Sequence, residues 1–391
     1  MRFTFKLFVL LYLFSMLSCS GNNDLSSGYN EVSIIETNTE SLLSKVFNIN
    51  DVAFLNLGDY SNSVRVPKKV LKWGDYIVYQ SLEPNNMGQG NLLILNSNLE
   101  VVKEMKPSSS APGEFKELTD FFIWEDYLYI YDFQSQKFMV FDKKLNAYRE
   151  VRSGFYFYNI VATESMIVAY ANKKIQFVEN VKYPYDIMIL DEELKPKKYL
   201  RKIDESQITG TVLNSDRSLI SGSDEVYFTP FWSDSMHQIL PDKMVSSFVF
   251  EYQNPLPEGV KRLGHVELLQ GIMGNKYSAY EKGASPTFVS KSQILFSFGS
   301  EDRLKYGVYD RSKGSSIVFD DYRYSLGEQL LRPQYLDNGL YVSFMYPYEL
   351  RGYLNSGLIN EASLESYFLS ELEKEEQDGR LIRVRYSLNL N

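Results

Sequence analysis

A seven-residue pattern of hydrophobic and polar residues, which we call the phrase, occurs four times in the chain. Residues 139–145 read MVFDKKL, which is an apolar run followed by an acid, two lysines and a leucine. A similar order appears at 93–99 (LILNSNL) and 188–194 (MILDEEL), and more loosely at 238–244 (QILPDKM). A short apolar run that ends in turn residues predicts a strand, a tight turn and a second strand.

A further hairpin is predicted upstream of these phrases. Residues 121–132 (FFIWEDYLYIYD) contain two strand-like runs separated by Glu125-Asp126, and Gly74-Asp75 divides 70–80 (VLKWGDYIVYQ) in the same way. Short breaks of this composition are typical of tight β-hairpins. The same organisation returns along the rest of the chain, at 160–170, 219–229, 288–298 and 335–344. Each repeat is therefore predicted to be a four-stranded antiparallel unit.

The period of these units predicts the fold. The apolar runs of the phrase end at Leu95, Phe141, Leu190 and Leu240, which are 46, 49 and 50 residues apart. Four-stranded units at this period are typical of β-propeller blades, which bury their faces by stacking around a channel. We therefore predict an all-β, six-bladed β-propeller of four-stranded antiparallel blades. Seven blades and two separate sheets are the alternatives.

The last predicted blade lacks a strand of its own. Its final strand lies in RLIRVRYSLNL (380–390). We expect an N-terminal strand, either VSIIET (32–37) or VAFLNL (52–57), to complete this blade and close the ring. The long loop within the blade, 345–379, is expected to carry a short helical insertion at 362–376. This amphipathic helix either packs against the propeller or docks a partner.

The N-terminal residues are typical of a targeting sequence. Arg2 and Lys6 flank the start of an apolar segment, LFVLLYLF (7–14), that is too short to span a bilayer as a mature helix. The single cysteine, Cys19, follows this segment as in a bacterial lipoprotein signal. A plain secretory signal is the alternative. We predict a signal peptide at 1–18, lipid attachment at Cys19, a flexible tether at 19–31 and the propeller domain at 32–391.

Two stretches resemble a known family. SAPGEF (110–115) followed by DFFIWEDYLYIYDFQSQKFMVFD (120–142), and LRPQYLDNGLYVSFMYPYEL (331–350), are similar to the TolB-like six-bladed propeller lipoproteins of Bacteroidota. Ser110-Ala111 replaces the first glycine of that family's loop motif. The resemblance implies a lipid-anchored protein of the cell envelope, at the outer membrane on its periplasmic or surface face. It implies little about chemistry, because the family is mostly of undefined function.

Composition narrows the possible chemistry. The formal charge is −9 and the basic residues are scattered, which argues against a nucleic-acid-binding face. The two histidines, His237 and His265, and the single cysteine show no metal-ligand spacing, and no phosphate-binding loop or nucleophile motif occurs. We therefore expect no metal site, no cofactor and no recognisable catalytic residue.

Candidate ligand-binding residues lie at one end of the predicted propeller. The tight turns of all blades share one end, and the longer second-to-third-strand loops share the other, at 81–91, 171–186, 229–236, 299–306 and 345–379. Binding residues usually lie on long loops above a rigid frame. We select Trp232, Arg303, Tyr348 and Arg351 on this loop end as candidate ligand contacts. The alternative for Trp232 is a wedge between blades.

Two classes of function fit these observations. The first is a binding or scaffolding module on the cell envelope that recognises a glycan, a peptide or a partner protein. The second is a propeller enzyme, such as a glycan lyase or hydrolase that uses acidic or tyrosine residues at the channel mouth, since acid-only glycosidase chemistry needs no histidine. The scarcity of catalytic motifs favours the binding module.

Overall fold

The computed structural model describes most of the chain from residue 30 onwards. The described residues are 30–33, 47–58, 65–83, 86–203, 218–230, 233–261, 274–300, 303–319, 329–355 and 380–388, with positions 263, 267, 270, 271, 359 and 369. Two strands, β1 (Asn30–Ser33) and β2 (Phe47–Phe54), precede the repeated units.

The described residues form six blades. Blade 1 contains β3 (Lys69–Trp73), β4 (Tyr76–Glu83), β5 (Asn86–Leu95) and β6 (Val101–Met105). Blade 2 contains β7 (Leu118–Trp124), β8 (Tyr127–Asp132), β9 (Lys137–Phe141) and β10 (Ala147–Arg152). Blade 3 contains β11 (Asn159–Ala162), β12 (Ile167–Tyr170), β15 (Tyr185–Leu190) and β16 (Pro196–Lys202), with an inserted hairpin of β13 (Gln176–Val178) and β14 (Val181–Tyr183).

The second half of the ring repeats this arrangement. Blade 4 contains β17 (Leu219–Gly222), β18 (Glu225–Phe228), β19 (Ser235–Ile239) and β20 (Met244–Glu251). A short helix, α1 (Glu258–Lys261), precedes blade 5, which contains β21 (Lys282–Val289), β22 (Gln293–Ser300), β23 (Arg303–Asp310) and β24 (Ser315–Phe319). Blade 6 contains β25 (Tyr335–Asp337), β26 (Leu340–Met345), β27 (Ile382–Leu388) and β2, with helix α2 (Pro347–Asn355) between β26 and β27. The predicted six-bladed, four-stranded architecture is confirmed.

The turn within the repeated phrase is stabilised by the side chain of its Asp or Asn residue. The Oδ1 atoms of Asn96, Asp142 and Asp191 each accept hydrogen bonds from the backbone N–H groups two and four residues later, at 2.9–3.0 Å. The leucine that ends each of these three phrases has a positive φ of 62–63°. The side chain thus supplies acceptors that stabilise a left-handed backbone position at which a bulky residue is otherwise rare. This local chemistry explains why the chain repeats the phrase.

An N-terminal strand closes the ring, as predicted. β2 pairs antiparallel with β27, with Phe47 opposite Leu388 and Phe54 opposite Ile382. Asp51 lies 2.9 Å from Arg383 Nη2 and 3.0 Å from Arg385 Nε, so ion pairs reinforce the pairing. The closing strand therefore overlaps the second candidate segment, 52–57.

The first candidate segment, 32–37, does not close the ring. Its first two residues belong to β1, which pairs in parallel with the outer strand β20 and makes blade 4 five-stranded. Val32 is fully buried in a cluster that includes Phe248 and Phe250, and this burial holds β1 at blade 4.

The hydrophobic core consists of separate clusters at the six blade junctions. At the junction of blades 1 and 2, the cluster includes Trp73, Val78, Leu92, Phe121, Leu128 and Ile130. Comparable clusters occupy the other five junctions. Each blade is therefore stabilised mainly by its neighbours, which is expected for a radial repeat fold.

The loop end differs from the prediction in four places. Residues 81–91 and 299–306, predicted as long loops, belong largely to the β4–β5 and β22–β23 hairpins, because antiparallel backbone pairing continues through polar residues. The loop 171–186 contains the hairpin of β13 and β14. α2 begins in a stretch predicted as loop, whereas the helix predicted at 362–376 lies outside the described residues apart from position 369.

Candidate functional site

A cavity of about 310 Å³ lies on the propeller axis and is lined by residues from all six blades. Most of these residues precede or begin the inner strands β3, β7, β11, β17 and β25. The cavity therefore lies towards the end opposite the tight turns, the end predicted to carry a ligand. Its lining residues are Val66–Leu71, Gln80, Thr119, Asp120, Tyr158, Asn159, Val161, Leu219–Ser221, Thr287, Phe288, Gln329, Arg332, Pro333 and Gln334.

Asp120 joins three blades at the wall of this cavity. Its Oδ1 lies 2.7 Å from Lys69 Nζ of blade 1 and accepts a hydrogen bond from the Phe121 N–H at 2.8 Å. Its Oδ2 accepts hydrogen bonds from Asn159 Nδ2 at 2.8 Å and from the Ile160 N–H at 2.6 Å, both in blade 3. A carboxylate offers about four lone-pair sites, so these four donors occupy its acceptor capacity. Asp120 is therefore a structural brace.

Blades 5, 6 and 1 are joined at the cavity by neutral side chains. Gln334 Oε1 accepts a hydrogen bond from the Val70 N–H at 3.2 Å, and this contact links blade 6 to blade 1. Thr287 Oγ1 donates a hydrogen bond to the Leu331 carbonyl at 2.6 Å, which links blade 5 to blade 6. The cavity wall is thus fixed from several blades, and its side chains are held in place before any ligand enters.

The charges of the described residues at the cavity are predominantly positive. Among these residues, Lys68, Lys69 and Arg332 are basic and Asp120 is acidic. Lys68 is exposed at the mouth, and the Arg332 guanidinium lies 5.7 Å from the centre of the Tyr306 ring. This local excess of positive charge contrasts with the formal charge of −9 for the whole chain.

The remaining lining is apolar or neutral. Leu219, Ile220 and Phe288 line the cavity from blades 4 and 5. Asn159 Oδ1 is buried and has no hydrogen-bond partner among the described residues. Gln80 is 2% exposed and also lines the cavity. A mostly apolar space with a few convergent polar groups is typical of small-molecule sites.

A second polar cluster lies between blades 3 and 4. The buried Asp186 carboxylate is 2.9 Å from Arg201 Nη1, and the Arg201 guanidinium lies 4.9 Å from the centre of the Phe228 ring. Burial raises the pKa of Asp186, while Arg201 and Lys173 oppose that rise. Burial, together with the positive charge of Arg201, lowers the pKa of His237 on the adjacent blade.

Three of the residues selected from the sequence are described, and they lie outside the cavity lining: Arg303, Tyr348 and Arg351. Trp232 and Cys19 are not among the described residues. Arg303 begins β23 and is exposed. Tyr348 and Arg351 lie in α2, where the Tyr348 ring is 53% exposed and stacks on Tyr346 with ring centres 5.4 Å apart. Whether these residues bind a ligand stays a prediction.

The sequence reasoning missed the cavity residues because it searched the loops. Lys69 and Asp120 belong to inner strands, and Arg332 and Gln334 lie just before one. One signal was available in the sequence: Asp120 interrupts the apolar run LTDFFIW, and Lys69 begins KVLKW. A charge in a strand that must face neighbouring blades needs a partner, which points to a contact near the axis.

No group of three or more His, Cys, Asp or Glu side chains within the described part of the chain is placed to hold a metal ion. None of the helices in this part of the chain is long and apolar enough to cross a membrane.

Comparison with protein families agrees with this architecture. Residues 22–335 match the family model described as "6-bladed beta-propeller". The chain belongs to this family, DUF5128. The match covers the N-terminal strands and all of blades 1 to 5. No curated protein matches the sequence.

Solved structures are similar to this DUF5128 chain at low sequence identity. An exported protein of Bacteroides fragilis is 12% identical, with a TM-score of 0.70 over 93% of this chain and 100% of that one. A member of the DUF4221 family from Bacteroides vulgatus is 7% identical, with a TM-score of 0.49 over 88% of this chain and 98% of that one. At these identities the likeness concerns the fold.

Proposed function

We propose that the protein is an exported binding propeller whose ligand enters the central cavity at the end where the inner strands begin. The ligand is a glycan, a peptide or an exposed group of a partner protein. The single observation that carries this proposal is the cavity itself, which all six blades line and whose wall interblade hydrogen bonds hold rigid. A rigid concave site keeps the entropic cost of binding low.

We also propose that the protein is a lipoprotein of the outer membrane, anchored through Cys19. The basic and apolar residues before Cys19 support this proposal, as does the resemblance to envelope lipoproteins. Ten residues, and so eleven Cα-to-Cα steps, separate Cys19 from Asn30, the start of β1 at the outer edge of blade 4. A fully extended chain of that length reaches about 40 Å, so the edge of blade 4 would stay within that distance of the bilayer.

A propeller lyase or hydrolase is the less favoured alternative. Glycoside hydrolysis commonly uses two carboxyl groups that flank the bond to be cleaved. Among the described residues that line the cavity, Asp120 is the one acid, and its acceptor sites are already occupied. Binding therefore fits the cavity better than two-carboxylate catalysis.

The binding site is tested with a glycan and peptide array probed with the signal-free protein, residues 20–391. Each ligand found is then titrated against Ser221→Phe and Gln329→Trp, which fill the cavity from blade 4 and from the segment before blade 6. Lys144→Trp, at the tight-turn end, is the matched control. We expect both cavity variants to lose binding while they keep the wild-type melting temperature, and the control to bind normally. An array without ligands, or ligands that bind folded cavity variants unchanged, would overturn the proposal.

The anchor is tested by fractionation of cells that express Cys19→Ala. We expect the variant to leave the membrane fraction for the soluble envelope fraction, because a single acylated residue supplies the apolar attachment. Ser20→Ala is the control and should stay with the membrane. Membrane association that is unchanged in Cys19→Ala would contradict the anchor.

A further inference from the structure

The direction of β1 shows from which end of the propeller the chain approaches blade 4. β1 pairs in parallel with β20, and Asn30 lies opposite Phe248. β20 runs from Met244, just after the β19–β20 turn, to Glu251 at the loop end. Because the two strands are parallel, β1 also runs towards the loop end. A chain that enters β1 at Asn30 therefore arrives from the side of the tight-turn end.

β1 is fixed to the edge of blade 4 by its backbone pairing and by a buried side chain. Its four residues pair with the last four residues of β20, from Phe248 to Glu251. Val32 is 0% exposed and belongs to the cluster that contains Phe248 and Phe250. Separation of β1 from β20 would expose Val32 to water, so the hydrophobic effect keeps the strand in place. The direction of entry is therefore a property of the folded propeller.

The distance from Asn30 to the tight-turn end is short compared with the chain before Asn30. Four residues separate Phe248 from Met244, which corresponds to about 13 Å along the strand. The eleven Cα-to-Cα steps from Cys19 to Asn30 reach about 40 Å when extended, and a Gly- and Ser-rich chain of that length has an r.m.s. span of about 18 Å. A lipid on Cys19 can therefore enter a bilayer at the tight-turn end while β1 stays paired.

A bilayer at the loop end would fit this geometry less well. The chain before β1 would have to reverse its direction and pass Glu251, which lies three residues, or about 10 Å, beyond Phe248. Two inserted elements also lie at the loop end beside blade 4, namely the β13–β14 hairpin of blade 3 and helix α1 before blade 5. At the other end, two residues separate β17 from β18 and four separate β19 from β20. The tight-turn end therefore allows a flat surface to approach blade 4 more closely.

We infer that the tight-turn end of the propeller faces the membrane that carries the lipid anchor, and that the pairing of β1 with β20 sets this orientation. This inference rests on the proposed anchor at Cys19. The partner is the lipid surface, and the turns before β18 and β20 lie nearest to it. The central cavity opens away from the bilayer, because it lies towards the opposite end of the propeller. Its ligand therefore enters from the aqueous side.

The test measures how close each end of β20 lies to the bilayer. Lys243 and Gln253 are exposed and flank β20, whose eight residues span about 25 Å. Lys243→Cys and Gln253→Cys each receive a thiol-reactive fluorescent donor, since the single native cysteine, Cys19, is blocked when it is acylated. The processed lipoproteins are reconstituted in phosphatidylethanolamine–phosphatidylglycerol liposomes that contain an acceptor lipid. We expect energy transfer at least about twofold more efficient from Lys243→Cys, because the two sites differ in height by the length of β20.

Val32→Asp, combined with each label, tests the role of β1. A carboxylate is costly to bury without a partner beside Phe248 and Phe250, so β1 should leave β20 and the difference between the two labels should disappear. Val181→Asp makes the same substitution at a position of the β13–β14 hairpin that is 51% exposed. This control should retain the difference between the labels.

Liposome flotation separates failure of the orientation from failure of the anchor. Protein that does not float lacks the anchor, which would contradict the anchor and the orientation together. Protein that floats and transfers energy equally from the two sites, or more efficiently from Gln253→Cys, would overturn the orientation alone. A difference between the labels that persists in Val32→Asp would overturn the role of β1.

Discussion

Lys69 Nζ lies 2.7 Å from Asp120 Oδ1, and this contact joins the inner strands of blades 1 and 2 beside the central cavity. The same carboxylate holds blade 3 through Asn159 and the Ile160 N–H. One side chain therefore fixes the relative positions of three blades. Any ligand in the cavity would contact a wall that depends on this residue.

Replacement of Asp120 should destabilise the fold strongly. Asp120→Ala removes four hydrogen-bond acceptor contacts and leaves the Lys69 ammonium without its carboxylate, which should cost about 3–5 kcal/mol of unfolding free energy. Lys143→Ala is the control, because the Lys143–Asp126 pair is exposed and should contribute less than about 1 kcal/mol. Urea denaturation measures both. A loss for Asp120→Ala no larger than that of the control would contradict the role of Asp120 as a brace.

Truncation from the N-terminus should lower stability in two steps. A chain that begins at residue 34 loses β1 and the burial of Val32, and a chain that begins at residue 55 also loses β2 and the ion pairs of Asp51. We expect the melting temperature to fall modestly in the first case. The chain that begins at residue 55 should lose far more. A loss of about 1 kcal/mol in unfolding free energy lowers the melting temperature of a large domain by a few degrees, and we expect a much larger decrease here. A chain that begins at residue 30 is the control. Equal melting temperatures for all three would show that β2 does not close the ring.

The close approach of blades 4 and 5 requires a glycine. A Cβ atom added at Gly222 would lie 2.0 Å from the Val289 carbonyl oxygen, which belongs to the backbone of β21. Gly222→Ala should therefore destabilise the protein by about 1–3 kcal/mol or more through overpacking. Gly259→Ala, in helix α1, meets nothing within 4 Å and should be neutral or slightly stabilising. Thermal unfolding of the two variants side by side decides the matter, and similar melting temperatures would refute the packing argument.

Stability should fall as the pH decreases below neutrality. Burial lowers the folded-state pKa of His237, so between that pKa and the unfolded value of about 6.5 the unfolded chain binds more protons. Unfolding is therefore favoured as the pH falls below about 6.5. Asp186 has the opposite effect at lower pH. Burial raises its folded-state pKa, so between the ordinary aspartate value and that pKa the folded protein binds more protons, and a fall in pH favours folding.

His237→Gln isolates the contribution of the histidine to this pH dependence. We expect the wild type to lose more unfolding free energy between pH 7.5 and pH 5.5 than the variant does, as measured by urea denaturation at each pH. Identical losses in the two proteins would assign the acid sensitivity to other groups.

The parts of the fold that were predictable from sequence are those with local causes. Asn96, Asp142 and Asp191 bond to backbone groups within four residues, so the turn leaves a short signature that repeats with each blade. The closing strand was predicted only as one of two segments, because pairing between β2 and β27 depends on residues more than 300 positions apart. No local sequence feature distinguishes β1, which extends blade 4, from β2, which completes blade 6.

The cavity residues illustrate why the candidate site was not predictable in the same way. Lys69, Asp120 and Arg332 are separated by up to 263 positions, and they share a wall only because six inner strands converge on one axis. The loop residues Arg303 and Tyr348 were selected for their chemistry and their end of the propeller, but their position relative to the axis depends on how each hairpin and helix projects. The end of the propeller towards which the cavity lies could be inferred from strand direction, and the residues that line the cavity could not.

A crystal structure of the signal-free protein with the tightest ligand from the array tests the central claim most directly. We predict ligand density on the propeller axis, in contact with the cavity residues Ser221 and Gln329. Ligand density at the tight-turn end, beside Asp126 and Lys143, or at a blade edge with the cavity unchanged, would contradict the account.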